Sequence, residues 1–357
     1  MTLKKRIQAF ERLRIFMLEV AHANASPAFQ NPEEKHYFEK LQAEIVSAVN
    51  RNGWFTESNV RKAISSLGLA MTAERLNKWT NKYGARLTEY NENKNVGIVM
   101  AGNIPAVGFH DLLCVLLSGN NVMAKLSSSD NRLIPALTDL LAAIEPEFQG
   151  MTTFTSDRLK GFDAIIATGS NNSSRYFEYY FGKYPNIIRK NRNGVAVLSG
   201  EESLEELQAL SVDISSYYGL GCRNVTHLFV PADYDFKPLL EACSSNTSNN
   251  ENSHYFNNYE YNKAILLVNG VLHFDTGGVL FTESEALPAA VSVVHFSYYK
   301  VQDSLLLLLK HKKDQIQCVV TNHFDVPERV AFGHSQMPEL WDYADGVDTM
   351  DFLLTMQ

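Results

Sequence analysis

The chain has 357 residues, with 32 lysines and arginines against 40 aspartates and glutamates, giving a formal net charge of -8 at pH 7. At roughly 150 residues per domain, that length predicts about two domains with ample chain to bury a core. The acidic balance carries no electrostatic footprint for nucleic acid and little for an anionic membrane, so a soluble, mildly acidic protein is expected.

Residues 1–94 repeat apolar positions at helical spacing, most clearly in "AFERLRIFMLEV" and "FEKLQAEIVSAV", and predict a helical lead-in. The N-terminus starts basic, but Glu11, Arg12, Arg14 and Glu19 interrupt any signal-peptide core. The longest aliphatic run, Leu305 to Leu309, falls far short of the roughly 20 residues a membrane span needs. Cys114, Cys222, Cys243 and Cys318 form no CxxC pair, which predicts neither a zinc site nor a disulfide framework but reduced thiols in a cytoplasm.

From Asn95 the pattern changes. "VGIVMA" (96–101) reads as a buried strand, and "PAVGFHDLLCVLLSG" as a helix opened by Pro105 and closed by Gly119. "NVMAK" (121–125) is the next strand, followed by a helix over about 133–144. A strand "FDAIIAT" (162–168), a helix from Gly169-Ser170 to about Phe181, and a strand "GVAVLSG" (194–200) come next. This alternation predicts a doubly wound parallel sheet over roughly 95–210. Further on, "HLFVP" (227–231), "AILLV" (264–268) and "VSVVHF" (291–296) read as strands, and the polar stretch 244–263 as a surface loop with helix ends or as low-complexity disorder. The expected division is a helical region 1–94, a doubly wound region 95–213, a further α/β region 214–325 and a C-terminal segment 326–357 packing back on the body.

Five segments carry candidate chemistry. In "AGNIPA", Asn103 sits at a strand tip, either as an amide donor or as a helix N-cap. In "MAKLSSSD", Lys125 and Ser127 could hold ribose hydroxyls or phosphate oxygens, or the lysine simply reaches solvent from a strand end. In "ATGSNNSS", Gly169 and Ser170 open a helix whose N-terminal amides suit a pyrophosphate, although no GxGxxG is present. In "YYGLGCRN", glycines precede Cys222, leaving either a reachable nucleophilic thiol or a turn with an incidental cysteine. In "FTESEALP", Glu283 and Glu285 are functional or merely solvated acids.

Taken in this order, and with "GHSQMPELWDYADGVDTMDFL" near the C-terminus, these segments resemble the aldehyde dehydrogenase superfamily, and within it the LuxC-type acyl-CoA reductase branch. The similarity runs from about Val96 to the C-terminus. It implies an aldehyde-dehydrogenase-like α/β fold, a doubly wound cofactor domain beside an α/β catalytic domain. It also implies that Cys222 is the nucleophile, Asn103 an oxyanion donor, and Lys125, Gly169 and Ser170 part of a nicotinamide dinucleotide site. The glutamate that touches the nicotinamide ribose maps to Glu283 or Glu285.

Two departures from the family pattern sharpen the expectation. Asn191 stands where hydrolytic members carry a carboxylate base, so no group activates water and thioester reduction is favoured over oxidation to an acid. Ser128 stands where an acidic residue often excludes a 2'-phosphate, which favours NADPH, with NADH as the alternative. The resemblance further implies a long-chain fatty acyl-CoA or acyl-protein thioester as substrate, an acyl-activating synthetase as partner, and homo-oligomers. The rival functions are a glutamyl-phosphate-type acyl phosphate reductase, for which Arg223 would be a suitable cation, and a non-catalytic nucleotide-binding protein of the same fold. Tyr217, Tyr218, Tyr255, Phe256 and Tyr259 either line an acyl channel or belong to the core.

Overall fold

The apolar periodicity of the N-terminal region folds as four helices: α1 (Leu3–Glu19), α2 (Pro32–Arg51), α3 (Glu57–Ala70) and α4 (Ala73–Asn81). These belong to a computed structural model that describes residues 1–23, 25–88, 93–246 and 248–356. Side chains of Thr2, Asn31 and Thr72 cap α1, α2 and α4 by accepting amide hydrogens left unpaired at a helix start. The buried face of α1 carries Phe10, Leu13, Phe16 and Met17. Gly68 of α3 lets the two helices cross closely, since a Cβ there would lie 3.1 Å from Met17 Cβ.

Five strands and three helices follow: β1 (Asn95–Val99), α5 (Phe109–Ser118), β2 (Asn121–Lys125), α6 (Leu133–Ile144), β3 (Thr152–Thr155), β4 (Ala164–Thr168), α7 (Asn171–Phe181) and β5 (Asn186–Arg189). The strands form one parallel sheet in the order β3-β2-β1-β4-β5. α5 begins four residues later than its proline suggests. Ala106 takes a left-handed φ of 54°, incompatible with a helical first turn, and its N–H donates to the buried Asp130 carboxylate at 2.7 Å. Gly119 ends α5 at φ 91°, as expected, and the Arg6 guanidinium covers that end, donating to Leu117 O at 2.6 Å and Leu87 O at 3.2 Å.

The C-terminal residues 339–356 pack on this same unit. Trp79 Nε1 donates to Tyr343 Oη at 2.6 Å, Tyr83 Oη to the Asp348 carboxylate at 2.9 Å, and buried Arg189 pairs with Asp111 at 2.6 Å and with Thr349 at 3.0 Å. The first compact unit is therefore Met1–Lys190 with Glu339–Gln357, and the second is Asn191–Pro338.

The second unit contains β6 (Asn193–Val197), α8 (Leu204–Ser215), β7 (Val225–Pro231), α9 (Lys237–Ser244), α10 (Ser253–Val268), β8 (His273–Asp275), β9 (Leu280–Glu283), β10 (Val293–Tyr299), α11 (Gln302–His311), β11 (Ile316–Val320) and β12 (Arg329–Val330); the terminal helix of the first unit is α12 (Thr349–Thr355). Seven strands run in the order β12-β11-β6-β7-β10-β9-β8, all pairs parallel except β8 with β9.

Two expectations are corrected. The strand near residues 194–200 joins the second sheet, because β6 takes β7 and β11 as neighbours, so the first sheet ends at Arg189. The chain passes between the two compact units at Lys190/Asn191 and Pro338/Glu339. Residues 264–268 are the end of α10 rather than a strand, and most of the polar stretch before them is the same helix, capped by Asn252; Thr247 of that stretch lies outside the described residues. No helix among the described residues is long and apolar enough to cross a membrane.

Candidate active site

Asn103, Lys125, Ser127, Ser128, Gly169 and Ser170 all lie on one edge of the first sheet. They follow β1, β2 and β4, whose ends lie side by side, with Val99 opposite both Lys125 and Ala167. In this strand order the winding reverses between β1 and β4, the place where open parallel sheets receive ligands.

The loops there are tied to each other. Ser127 sits against Gly102, where a Cβ would come within 2.5 Å of its Oγ, and the same Oγ accepts the Ser129 N–H. Asp130 holds the loop after β1 through Ala106, leaving Asn103 exposed at the tip. Burial raises the Asp130 carboxyl to about 6 against the pull of the Ala106 and Leu133 amides. Ser128 is exposed, and the Lys125 ammonium makes no ion pair among the described residues. Ser170 caps α7 by accepting the Ser173 N–H at 3.2 Å. The room left by the missing side chain of Gly169 is filled by α7, since a Cβ would lie 2.8 Å from the Phe177 ring.

In the second unit, Cys222 lies between α8 and the N-terminal end of β7. Tyr217, Tyr218 and Gly219 take φ values of 49°, 61° and 74°, three left-handed residues in a row that turn the chain sharply. Asn224, fully buried, holds that turn together. Its Oδ1 accepts the Gly221 N–H at 2.8 Å, and its Nδ2 donates to the carbonyls of Asp213 and Ser216, each at 2.9 Å.

The segment 333–336 clasps the loop from outside. Buried Asp213 accepts the N–H groups of Gly333 and Ser335 at 2.6 and 2.9 Å, and Ser335 O in turn accepts from Arg223 Nε at 2.5 Å. Burial raises the Asp213 carboxyl, although these amides pull it down. The Gln336 amide packs on Gly221, so "GHSQ" touches the residue on each side of Cys222. Of the four cysteines, only Cys222 is half-buried; the others are buried, with the Cys243 thiol pushed up to about 12 and Cys318 to about 11 by desolvation.

Asn191 is exposed at the same end of the sheet. Gly194, three residues on, abuts the cysteine loop so closely that a Cβ would lie 2.5 Å from Arg223 O. Glu283 ends β9 with its side chain exposed, and Glu285 lies in the following loop, where Lys312 Nζ donates to its carbonyl at 2.6 Å. Tyr217, Tyr218, Tyr255 and Tyr259 are buried core residues, with Tyr255 donating to Gly278 O and Tyr259 to Asp275, while Phe256 is exposed.

Asp130, Asp213, Asn224 and the segment 333–336 escaped the sequence reading as site-building residues. For Asp213 a signal existed: it shares the buried stripe of α8 with Leu207, Leu210 and Ile214, and a carboxylate on an apolar stripe needs a partner.

A sequence profile of the family described as Acyl-CoA reductase (LuxC) matches residues 54–238. No curated protein matches the chain significantly. Among solved structures, aldehyde dehydrogenase 21 from Physcomitrella patens superposes with a TM-score of 0.65 at 12% identity, covering 98% of this chain and 84% of its own. An NAD-dependent benzaldehyde dehydrogenase from Corynebacterium glutamicum gives 0.58 at 12% identity, covering 90% and 81%. An E. coli NADP-dependent enzyme gives 0.58 at 12% identity, covering 91% and 78%. At these identities the structures are similar in fold, which is that of the aldehyde dehydrogenases.

Proposed function

The chain belongs to the acyl-CoA reductase (LuxC) family and is an oxidoreductase, and we propose that it reduces a long-chain fatty acyl thioester to the aldehyde through an acyl-enzyme on Cys222. The observation that carries this reading is the placement of Cys222, the one half-buried thiol, on a clasped turn beside the strand entry at Asn191, the position at which the family resemblance implies a carboxylate in hydrolytic members.

The donor set at the edge of the first sheet suits a phosphorylated dinucleotide. It offers the Lys125 ammonium, without an ion pair among the described residues, hydroxyls at Ser127 and Ser128, and the first-turn amides of α7 capped at Ser170. With Ser128 carrying no negative charge, NADPH is the proposed cofactor, and Glu283 or Glu285 is the proposed contact to its nicotinamide ribose. Bound, this cofactor supplies the hydride.

The remaining chemistry belongs to the chain. The Cys222 thiolate attacks the thioester carbonyl carbon, forming a new C–S bond, and the oxyanion is held by the Cys222 N–H and the Asn103 amide. Collapse breaks the bond to the CoA sulfur, which leaves as a thiolate. With an amide at Asn191, no carboxylate activates water, so the acyl-enzyme persists long enough to be reduced. The resulting thiohemiacetal then releases aldehyde and regenerates the thiol.

The test is NADPH consumption, read by absorbance, with acyl-CoAs of increasing length. Wild-type protein is expected to form aldehyde, Cys222→Ser to lose turnover, and Asn103→Ala to retain it at a rate ~10²- to 10³-fold lower. Turnover with acyl phosphates alone, or unchanged turnover in Cys222→Ser, would overturn the proposal.

A further inference from the structure

The helix α10 is apolar on more than one side. Its inward side carries Tyr255, Tyr259 and Leu266, and the outer end of the second sheet accounts for it. Tyr255 Oη donates to Gly278 O at 2.8 Å, Tyr259 Oη to the Asp275 carboxylate at 2.6 Å and Asn262 Nδ2 to Val291 O at 2.9 Å, while Lys263 Nζ pairs with Asp275 at 2.7 Å. These ties fix the helix where β8 is the last strand of the sheet.

The outward side has no such account. Tyr261, Ala264, Ile265 and Val268 recur at the i, i+3, i+4, i+7 spacing of an apolar stripe, yet all four are exposed, Val268 at 86%. The turn into β8 continues the patch with Val271 and Leu272, the latter 91% exposed. A contiguous apolar face of this kind marks an interaction surface. We propose that it binds the same face of a second copy of this chain, the two α10 helices packing antiparallel across a twofold axis.

Two observations commit the face to a second copy. Near a twofold axis a charged group lies close to its own counterpart and repels it, so a self-pairing face has to be neutral. The chain carries a net charge of -8, but from Tyr261 to Leu272 its one charged residue is Lys263, neutralised within the chain by Asp275. The second observation is area. At their exposed fractions, Tyr261, Ile265, Val268, Val271 and Leu272 present on the order of 600 Å² per copy. A pair then buries about 1,200 Å², which reaches the range of specific, stable interfaces. Ala264 and Ile265 lie at the middle of the stripe, where the small alanine lets two helices approach closely. An axis there sets position 261 of one copy opposite position 268 of the other.

Sedimentation velocity of the full chain from about 1 to about 100 µM tests this. The wild-type chain is expected to be a dimer. Val268→Glu places a carboxylate where the single chain is open to water, and is expected to raise the dissociation constant roughly a hundredfold, while Leu307→Glu, on an exposed position of α11, leaves it unchanged. Adding Tyr261→Lys to Val268→Glu is expected to restore pairing, because the axis brings the two new charges together twice. That recovery would also show that Val268→Glu folds. A wild-type chain that stays monomeric at about 100 µM would overturn the proposal, as would a dimer that Val268→Glu leaves intact. A double variant that associates no better than Val268→Glu would overturn the antiparallel pairing. The measurement needs neither acyl-CoA nor NADPH, so it reads the same whatever reaction Cys222 performs.

Discussion

Asp130 is the buried carboxylate from which the loop after β1 hangs, and its charge works against the fold. The folded carboxyl titrates at about 6 where 3.8 is ordinary, so the native state binds the proton more tightly than the unfolded chain does. Stability from this group is therefore greatest below about pH 4, falls as the pH rises through about 6, and stays low above that. Asp130→Asn, neutral throughout and still able to accept the Ala106 N–H, is expected to remove this fall and to stabilise the protein at neutral pH by on the order of 2–3 kcal/mol. Thermal melting of both proteins from pH 4 to pH 8 checks it, and melting curves that run parallel across that range would refute it. None of this was legible in "SSSD", because a buried aspartate and a solvated one look alike until the acceptor's partner, here an alanine 24 residues earlier, is known. The turn ahead of Cys222 was legible for the opposite reason: its signal is local, glycines written into consecutive residues.

β6 and the loop before β7 approach each other through Gly194, where a Cβ would meet Arg223 O at 2.5 Å and Asn224 O at 2.8 Å. Both neighbours are backbone, so no side chain can swing aside to make room. Gly194→Ala is expected to push β6 away from the cysteine loop, costing roughly 1–3 kcal/mol of stability and a larger share of activity, because Asn224 would release the Gly221 N–H. Urea unfolding alongside alkylation of Cys222 measures both, and an alanine variant that unfolds and alkylates like wild type would refute the close contact. The same dependence on distant partners explains which elements the sequence revealed. α6 and β2 fell where expected because their patterns are long or cleanly bounded. Four apolar residues in a row at 265–268 fit a strand or a helix equally, and only the capped run from Asn252 makes them helical. β3 and β5, the short edge strands of the first sheet, carried no pattern strong enough to predict.

At the scale of the whole chain, which sheet the strand near 194–200 joins was not legible, because a strand shows itself in sequence but its sheet is decided by pairing. Residues 339–356 are likewise placed by their partners: they close the first unit although the entire second unit separates them from it in the chain. Leu340, Met350, Leu353 and Leu354 are all buried there, and Tyr343 joins Trp79 and Tyr83 in a hydrogen-bonded cluster with Asp348. At about 1.5–3 kcal/mol for each of the four aliphatic side chains, their loss amounts to roughly 6–12 kcal/mol, comparable with the whole stability of a typical domain. Truncation after Pro338 is therefore expected to leave the first unit unfolded while Asn191–Pro338, which keeps its own contiguous core of β6, β7, β10 and β11, stays compact. Limited proteolysis distinguishes the outcomes. Rapid digestion of the N-terminal 190 residues with a resistant fragment beginning near Asn191 supports the assignment, and a truncated chain whose first unit resists protease as the full chain does would show that the C-terminal segment is dispensable for its fold.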